Sequence, residues 1–206
     1  MQINRQLLVP VLVIDILIVF FEYWILSQVW RRHGKGTLRF YTQDSNYLAL
    51  GVSITCGITE LICMLGELPL PQWTKALRLV GASCLMLTFL VASCVLVPMD
   101  KRHTFYTFML KGNLLIVHTV CPMMMLIAML IHPGDTLGLN HVLFAMIPTV
   151  LYGVVVVILN LLGKLDGPYP FLNIRRQPFY QTLGWLILIM GINFVVSWVL
   201  TRISLL

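Results

Sequence analysis

Six hydrophobic stretches, each long enough to cross a bilayer, occupy most of this 206-residue chain. A hydrocarbon core about 30 Å thick needs roughly 20 apolar residues in one α-helix. The chain is 59% hydrophobic, and its stretches are too many and too long for the core helices of a soluble domain. The short alternating segments of a membrane β-barrel are absent from the sequence. We therefore predict an all-α polytopic membrane protein, a bundle of six transmembrane helices at residues 7–30, 46–65, 76–99, 109–131, 141–162 and 183–200.

The connections between the stretches are short, so residues 1–206 are predicted to form a single six-helix transmembrane domain. The first stretch is expected to be a retained span rather than a cleaved signal peptide. It is long, it carries Asp15 and Glu22, and it ends in Trp30-Arg31-Arg32 instead of a small-residue cleavage site.

Positive charge is distributed unequally between the two ends of the predicted bundle. The connections after spans one, three and five hold ten Lys and Arg residues, and the opposite side holds four. The positive-inside rule therefore predicts a multi-pass protein of the cell membrane with both termini outside. Scattered basic residues at a membrane surface suit anionic lipid headgroups, and nucleic acid is not an expected partner. The ten are Arg31, Arg32, Lys35, Arg39, Lys101, Arg102, Lys111, Lys164, Arg175 and Arg176, and the four are Arg5, Lys75, Arg78 and Arg202.

Cysteine and histidine spacing gives no indication of a metal site, and no cofactor is expected. Five cysteines, an odd number, all fall inside predicted spans, where thiols usually act as small apolar side chains. They are Cys56, Cys63, Cys84, Cys94 and Cys121.

Polar side chains gather at the predicted cytoplasmic ends of the spans. Thr42 and Asp44 stand at the mouth of span two, and a side chain of residues 42–46 is expected to cap that helix. His118, the one histidine well inside a span, lies about 10 Å deeper than Lys111, and Glu22 reaches a similar depth. An ionisable group at that depth normally faces the bundle interior. From the residues alone, a neutral histidine bonded to a neighbouring carbonyl and a functional histidine are equally good interpretations.

Prolines mark further features of the chain. Pro122 and Pro148 fall inside spans four and five, and each is predicted to face the interior, where a neighbour can satisfy the carbonyl that it frees. A turn is predicted at Pro133-Gly134-Asp135, and the loop 166–171 is predicted to cap the cytoplasmic side.

Three segments, in the same order along the chain, resemble one family of membrane proteins. Residues 39–46 (RFYTQDSN) resemble the "FT..SN" start of that family's second helix. Asn113, His118-Thr119 and Pro122 resemble its "N…HT…P" helix, and Pro148 to Tyr152 with the loop 167–172 (GPYPFL) resemble its "P..Y" helix and "YPF" loop. The family is that of six-span bacterial integral membrane proteins related to the androgen-induced and androgen-dependent TFPI-regulating proteins.

The resemblance implies an activity. Animal members hydrolyse fatty acid esters of hydroxy fatty acids with an intramembrane threonine nucleophile and a histidine. Matched by position, Thr42 would be the nucleophile and His118 its base, and the substrate would be a membrane lipid or lipid ester.

This chemistry requires supporting groups around the pair. A threonine hydroxyl needs a base during attack, and neutral imidazole is suited to that role. Glu22 has the right depth to orient the ring, while Asp44 stands at the mouth of span two. Amides at the start of span two, or Asn46 or Asn113, would donate to the oxyanion. In the cytoplasmic loop, Asp166 and Tyr169 are expected to lie over the site.

Buried carboxyls support a different class of function. Asp15 and Glu22 are seven residues apart and therefore share one face of span one. Asp15 and Glu60 fall at a comparable level and could form a carboxyl pair that shares a proton. A small proton- or cation-coupled transporter using Asp15, Glu22 and Glu60 is thus the alternative, although the sequence lacks the inverted repeat and broken helix pair typical of transporters. A non-catalytic membrane partner protein is the third class, and it would have a dry, tightly packed interior.

Overall fold

The computed structural model describes residues 5–100, 104–134 and 136–203. Lys101 and Arg102 of the charge count and Asp135 of the predicted turn lie outside these residues, and of Arg5 only the backbone is described. All regular elements in the described part of the chain are helical, and six helices are long and apolar enough to span a membrane. The predicted all-α bundle of six membrane-spanning helices is confirmed.

The six long helices follow one another along the chain: α1 (Arg5–His33), α2 (Tyr41–Leu65), α3 (Gln72–Met99), α4 (Gly112–Ile131), α5 (Leu139–Leu161) and α6 (Phe179–Arg202). A short helix, Phe105–Met109, precedes α4. Short 3₁₀ helices occur at Gly34–Arg39, Pro170–Leu172 and Ile174–Arg176.

Two helix boundaries differ from the prediction in ways that affect the candidate site. Helix α2 begins at Tyr41, five residues before the predicted span, so Thr42 and Asp44 lie in its first turn. The predicted fourth span is divided between the short helix and α4. Gly112 adopts a φ of +58° at this break, a left-handed conformation that glycine accepts without a Cβ clash.

Helix α1 buries a single stripe of side chains spaced three and four residues apart. This spacing places them on one helix face, which packs against α2 and α4. Two members of the stripe are acidic, so the prediction that Asp15 and Glu22 share a face is confirmed. The stripe consists of Leu8, Val11, Asp15, Ile18, Glu22 and Ile25.

Helix α3 occupies the centre of the bundle and contacts α2, α4, α5 and α6. Its side chains are buried almost all around the helix, whereas α5 and α6 expose large apolar residues such as Leu151 and Ile187. Gly81 permits the close packing, because a Cβ there would lie 3.2 Å from a Val52 methyl and 3.3 Å from the Met125 methyl. Small residues at such crossings allow membrane helices to approach closely.

A wide π-helical turn precedes a proline in both α3 and α4. The turns are Ala92–Leu96, before Pro98, and Ile116–Val120, before Pro122. A proline has no N–H to donate to the carbonyl four residues earlier, which for Pro122 is the carbonyl of His118. The wider turn accommodates the loss and contains His118 itself. Pro122 is buried, as predicted, whereas Pro148 is only half-buried.

Candidate functional site

A cleft opens at the basic end of the bundle, where the start of α2 meets the π turn of α4 and the loop before α6. Its empty volume, including the open mouth, is about 1110 Å³. The cleft brings together Thr42, His118 and Tyr169, which come from three separate parts of the sequence. Its other walls are Phe40, Gln43, Leu96, Met99, Asp100, Phe108, Pro168 and Pro170.

Thr42 is held at the start of α2 by a tyrosine from a distant loop. The Thr42 backbone N–H donates to the Tyr169 hydroxyl over 3.2 Å, and the two hydroxyl oxygens lie 3.4 Å apart. The N-cap residue is Phe40, which offers no side-chain cap. The prediction that a side chain of residues 42–46 caps α2 is therefore wrong. These residues lie inside the helix, and Tyr169 satisfies one of the free N–H groups of the first turn.

Tyr169 is fixed in the cleft by aromatic contacts as well as by Thr42. Its ring stacks on Phe171 with 5.2 Å between centroids and meets the edge of Phe40 at 6.2 Å. Burial raises the pKa of the Tyr169 phenol above its ordinary value of 10. The group therefore stays protonated near neutral pH and keeps a hydrogen to donate to Thr42 Oγ1.

His118 is oriented by the backbone of the short helix Phe105–Met109. Its Nδ1 lies 3.1 Å from the Phe108 carbonyl oxygen, and its ring stacks on the Phe108 ring at 5.0 Å. The next residue, Thr119, donates to the Met109 carbonyl over 2.7 Å. These carbonyls belong to the last turn of a helix, where they lack intrahelical partners. A carbonyl only accepts, so Nδ1 carries the proton and Nε2 of the neutral ring is the basic nitrogen.

Thr42 and His118 line the same cleft, but within the described residues no hydrogen bond joins the two side chains. Among the described residues, the hydrogen-bond partner of the Thr42 hydroxyl is Tyr169, and that of the His118 ring is Phe108. Proton transfer between the two side chains thus requires a bridging water or the entry of a substrate. Catalytic hydrogen bonds are often long in ligand-free enzymes and tighten when substrate binds.

Two of the predicted supporting residues on α2 point away from the cleft. The Asn46 amide donates to the Thr42 carbonyl and is fully buried, so it holds the helix turn and does not line the cleft. Asp44 lines a separate cavity together with Lys35 and Arg39. Asp44, two positions after Thr42, projects from the opposite side of the helix, which explains its placement. Asn46 lies on the same helix face as Thr42, but its amide is turned back onto the Thr42 carbonyl.

Three more predicted residues lie apart from the cleft. Asn113 is exposed at the start of α4. Glu22 is buried on α1 beside the Cys121 thiol, so the expected orienting role falls to the Phe108 carbonyl. Asp166 is exposed and pairs with Arg175 over 3.2 Å. Of Asp166 and Tyr169, the two residues predicted to lie over the site, Tyr169 is therefore the one that reaches the cleft.

The sequence prediction missed Gln43, Asp100 and Phe108, which also line the cleft. Gln43 follows Thr42 directly, so its amide was a candidate by proximity. The role of Phe108 had no signal in the sequence, because it is performed by a main-chain carbonyl that any residue provides.

A second cavity adjoins Thr42 on its other side. It lies between α2, α3, α5, α6 and the loop before α6, and its empty volume, including its opening, is about 590 Å³. Thr42, Leu96 and Tyr169 line both this cavity and the cleft. We call it the apolar cavity, since most of its wall is formed by residues such as Leu87, Val91, Leu172, Trp185, Leu186 and Ile189.

A buried charge cluster lies toward the opposite end of the bundle. The Arg78 guanidinium donates to both carboxylate oxygens of Asp15, over 2.8 and 2.6 Å, and to Glu60 over 2.6 Å. His132 Nε2 lies 3.2 Å from the same Glu60 oxygen. Burial lowers the pKa of His132 below its ordinary 6.5, although the Glu60 carboxylate opposes this shift.

The cluster corrects two expectations. Lys75 and Arg78 were counted among the four charges of the outer side, yet both are fully buried in the bundle, and Lys75 donates to the Gly134 carbonyl. Asp15 and Glu60 meet through Arg78 and not as a pair that shares a proton. A buried charge requires a partner, so the arginine is drawn into the bundle by the two carboxylates. Within the described residues, no polar side-chain contact links Glu22 to this cluster.

No group of three or more His, Cys, Asp or Glu side chains in the described part of the chain is arranged to hold a metal ion. The fold and the cleft together define a six-helix membrane protein with a threonine and a histidine in one cleft at the end of the bundle. Comparison with protein-family models, curated proteins and solved structures finds no match to this chain.

Proposed function

We propose that this protein is an intramembrane hydrolase of a lipid ester, with Thr42 as nucleophile and His118 as general base. The observation that supports this most directly is the shared cleft, which both side chains line at one end of the bundle. The motif resemblance at residues 39–46 and 113–122 assigns the same two residues.

The proposed reaction has two steps. The Thr42 oxygen attacks the ester carbonyl carbon while its proton passes, through a water in the cleft, to Nε2 of His118. The bond from that carbon to the alcohol oxygen then breaks, and the proton moves to the departing alcohol. A second water, activated by His118, hydrolyses the acyl-threonine ester and returns the threonine hydroxyl.

Negative charge that develops on the carbonyl oxygen would be stabilised at the start of α2. The helix N-terminus carries partial positive charge there. The Gln43 amide lines the cleft, and the Tyr169 O–H, which donates to Thr42 Oγ1 in the free protein, would turn to the oxyanion when the Thr42 oxygen attacks. These two donors would take the place of the predicted Asn46 and Asn113. Each well-placed donor contributes about 3–4 kcal/mol in known oxyanion holes.

The position of the cleft suits a substrate that comes from the membrane. The cleft lies at the end of the bundle whose connections carry Arg39, Lys111 and Arg175, which the positive-inside rule assigns to the cytoplasm. In this proposal both termini are outside, the ester group enters from the cytoplasmic leaflet, and water enters from the cytosol.

The other two classes have less support. A transporter would need a polar path that joins Glu22, Asp15 and Glu60, yet Glu22 lies beside Cys121 while Arg78 binds the other two. A purely structural partner protein would have a tightly packed interior, whereas two cavities adjoin Thr42.

The test is labelling with a fluorophosphonate serine-hydrolase probe, together with turnover of a lipid ester in detergent or nanodiscs. Thr42→Ala should abolish both signals, and Thr42→Ser should retain labelling because a hydroxyl remains. His118→Gln should slow labelling by about 100-fold or more, since general-base catalysis contributes about 10²–10⁴-fold.

The matched control is Thr55→Ala, which removes an exposed threonine from the same helix α2. This variant should label and turn over ester like the wild type. Undiminished labelling of Thr42→Ala would reject Thr42 as the nucleophile.

A further inference from the structure

The apolar cavity has polar residues in its wall, but their hydroxyl groups already have protein partners. Tyr41 bonds to Thr149 over 2.7 Å, Thr88 bonds to Ser45 over 2.8 Å, and Tyr152 donates to the Arg39 carbonyl over 2.8 Å. A ligand in this cavity therefore meets few polar groups that are free to bind it. The cavity selects a group that needs no hydrogen bonds.

The cavity meets the cleft at the proposed nucleophile. Thr42, Leu96 and Tyr169 belong to both walls, so a molecule that places one end in the apolar cavity passes the Thr42 hydroxyl on its way into the cleft. Its more polar part then lies beside His118, Gln43 and Asp100. This arrangement fits a molecule with a long apolar tail joined to a polar group.

We infer that the apolar cavity binds the fatty acyl chain of the ester, so that the acid portion transfers to Thr42 while the alcohol portion leaves through the cleft. This inference rests on the proposed hydrolase function and adds which part of the substrate lies on which side of Thr42. According to this inference, residues of α5 and α6 that line the cavity, chiefly Gly153 and Ile189, determine which acyl chain lengths the protein accepts.

Gly153 provides a way to fill the cavity without disturbing the fold. A Cβ built at Gly153 meets no atom within 4 Å, so a larger side chain can project into open space. Gly191 on α6 is a matched control, because its Cβ also meets no atom within 4 Å, yet it is exposed on the outside of the bundle and does not line the cavity.

The experiment has two readouts in nanodiscs. The first is photocrosslinking with a palmitic acid analogue that carries a diazirine near its methyl end, with the labelled residues located by mass spectrometry. The second is the rate of hydrolysis of 4-nitrophenyl esters whose acyl chains run from four to sixteen carbons. Both are measured for the wild type, Gly153→Leu, Ile189→Ala and Gly191→Leu.

The inference predicts crosslinks on Trp185, Leu186 or Ile189 in the wild type. Gly153→Leu should lose most of this crosslinking and should lower hydrolysis of the longest ester at least about tenfold relative to the shortest, since one or two methylenes in an apolar pocket change selectivity by about 10–200-fold. Ile189→Ala, which enlarges the cavity, should shift the preference toward longer chains. Gly191→Leu should match the wild type in both readouts.

The outcomes separate this inference from the proposed function. Hydrolysis that depends on Thr42, with an unchanged chain-length profile in both cavity variants, would overturn the acyl cavity and leave the hydrolase proposal standing. The protein could instead hydrolyse no ester and still crosslink the fatty acid analogue in the cavity. If Gly153→Leu removed that crosslinking, the result would support the acyl site and reject the hydrolase. Crosslinks confined to the outer surface of the bundle would reject the acyl site directly.

Discussion

Removing the Arg78 side chain should destabilise the bundle more than any other single loss of charge in the described part of the chain. Arg78 is fully buried and forms three short charge-assisted hydrogen bonds, two to Asp15 and one to Glu60. Replacement by methionine keeps most of the volume but leaves two buried carboxylates without their cation. Breaking a buried ion pair from one side costs about 3–5 kcal/mol, and here two carboxylates share the lost partner.

The measurement is reversible unfolding by SDS in mixed micelles, followed by tryptophan fluorescence. Arg78→Met should lower the free energy of unfolding by about 3–5 kcal/mol near neutral pH. At acidic pH the loss should become smaller, because a protonated carboxyl does not need the guanidinium. The triple variant Asp15→Asn, Glu60→Gln, Arg78→Met should recover much of the stability, since it buries no unpaired charge.

The matched control is Arg175→Met, which breaks the exposed pair with Asp166. The two side chains of this pair are 45% and 74% exposed, and such surface pairs contribute about 0–1 kcal/mol. If Arg78→Met and Arg175→Met destabilise the protein equally, the assignment of Arg78 as the ion that joins α1, α2 and α3 is wrong.

Three further variants test the geometry around the two sites. Tyr169→Phe removes both hydrogen bonds to Thr42 and should cost about 1 kcal/mol of stability in SDS unfolding while slowing probe labelling of Thr42; unchanged labelling would contradict the positioning role. Pro122→Ala restores an N–H that can donate to the His118 carbonyl, so the π turn should tighten and His118 should shift away from the Phe108 carbonyl. Probe labelling of Thr42 should then fall by roughly tenfold or more while the protein stays folded. Because burial lowers the pKa of His132, the unfolded chain takes up a proton there more readily than the folded chain does, and stability should fall as the pH drops below about 6.5. His132→Gln should flatten that part of the stability profile, and an unaltered slope would show that other groups cause it.

Much of the bundle was predictable because its signals are local. Apolar stretches of sufficient length identify the six helices, and the seven-residue spacing of Asp15 and Glu22 places both carboxyls on the buried face of α1. The break before α4 was missed although Lys111-Gly112-Asn113 is a turn signal, because the predicted span began at Met109 and included these residues.

The placement of Thr42 and His118 in one cleft agrees with the expectation drawn from their depths, but their immediate partners did not follow from sequence. His118 is oriented by the main-chain carbonyl of Phe108, which no side-chain pattern records. Thr42 is held by Tyr169, 127 residues away, and the nearby Asp44 faces a different cavity.

The sequence by itself determined which segments enter the membrane and which face of α1 is buried, because hydrophobicity and helical periodicity are properties of neighbouring residues. Tertiary packing decided which residues share a site. The rotation and lateral position of each helix are set by contacts with the other helices, and only those contacts bring Arg78 between Asp15 and Glu60, or the hydroxyl of Tyr169 onto the first turn of α2.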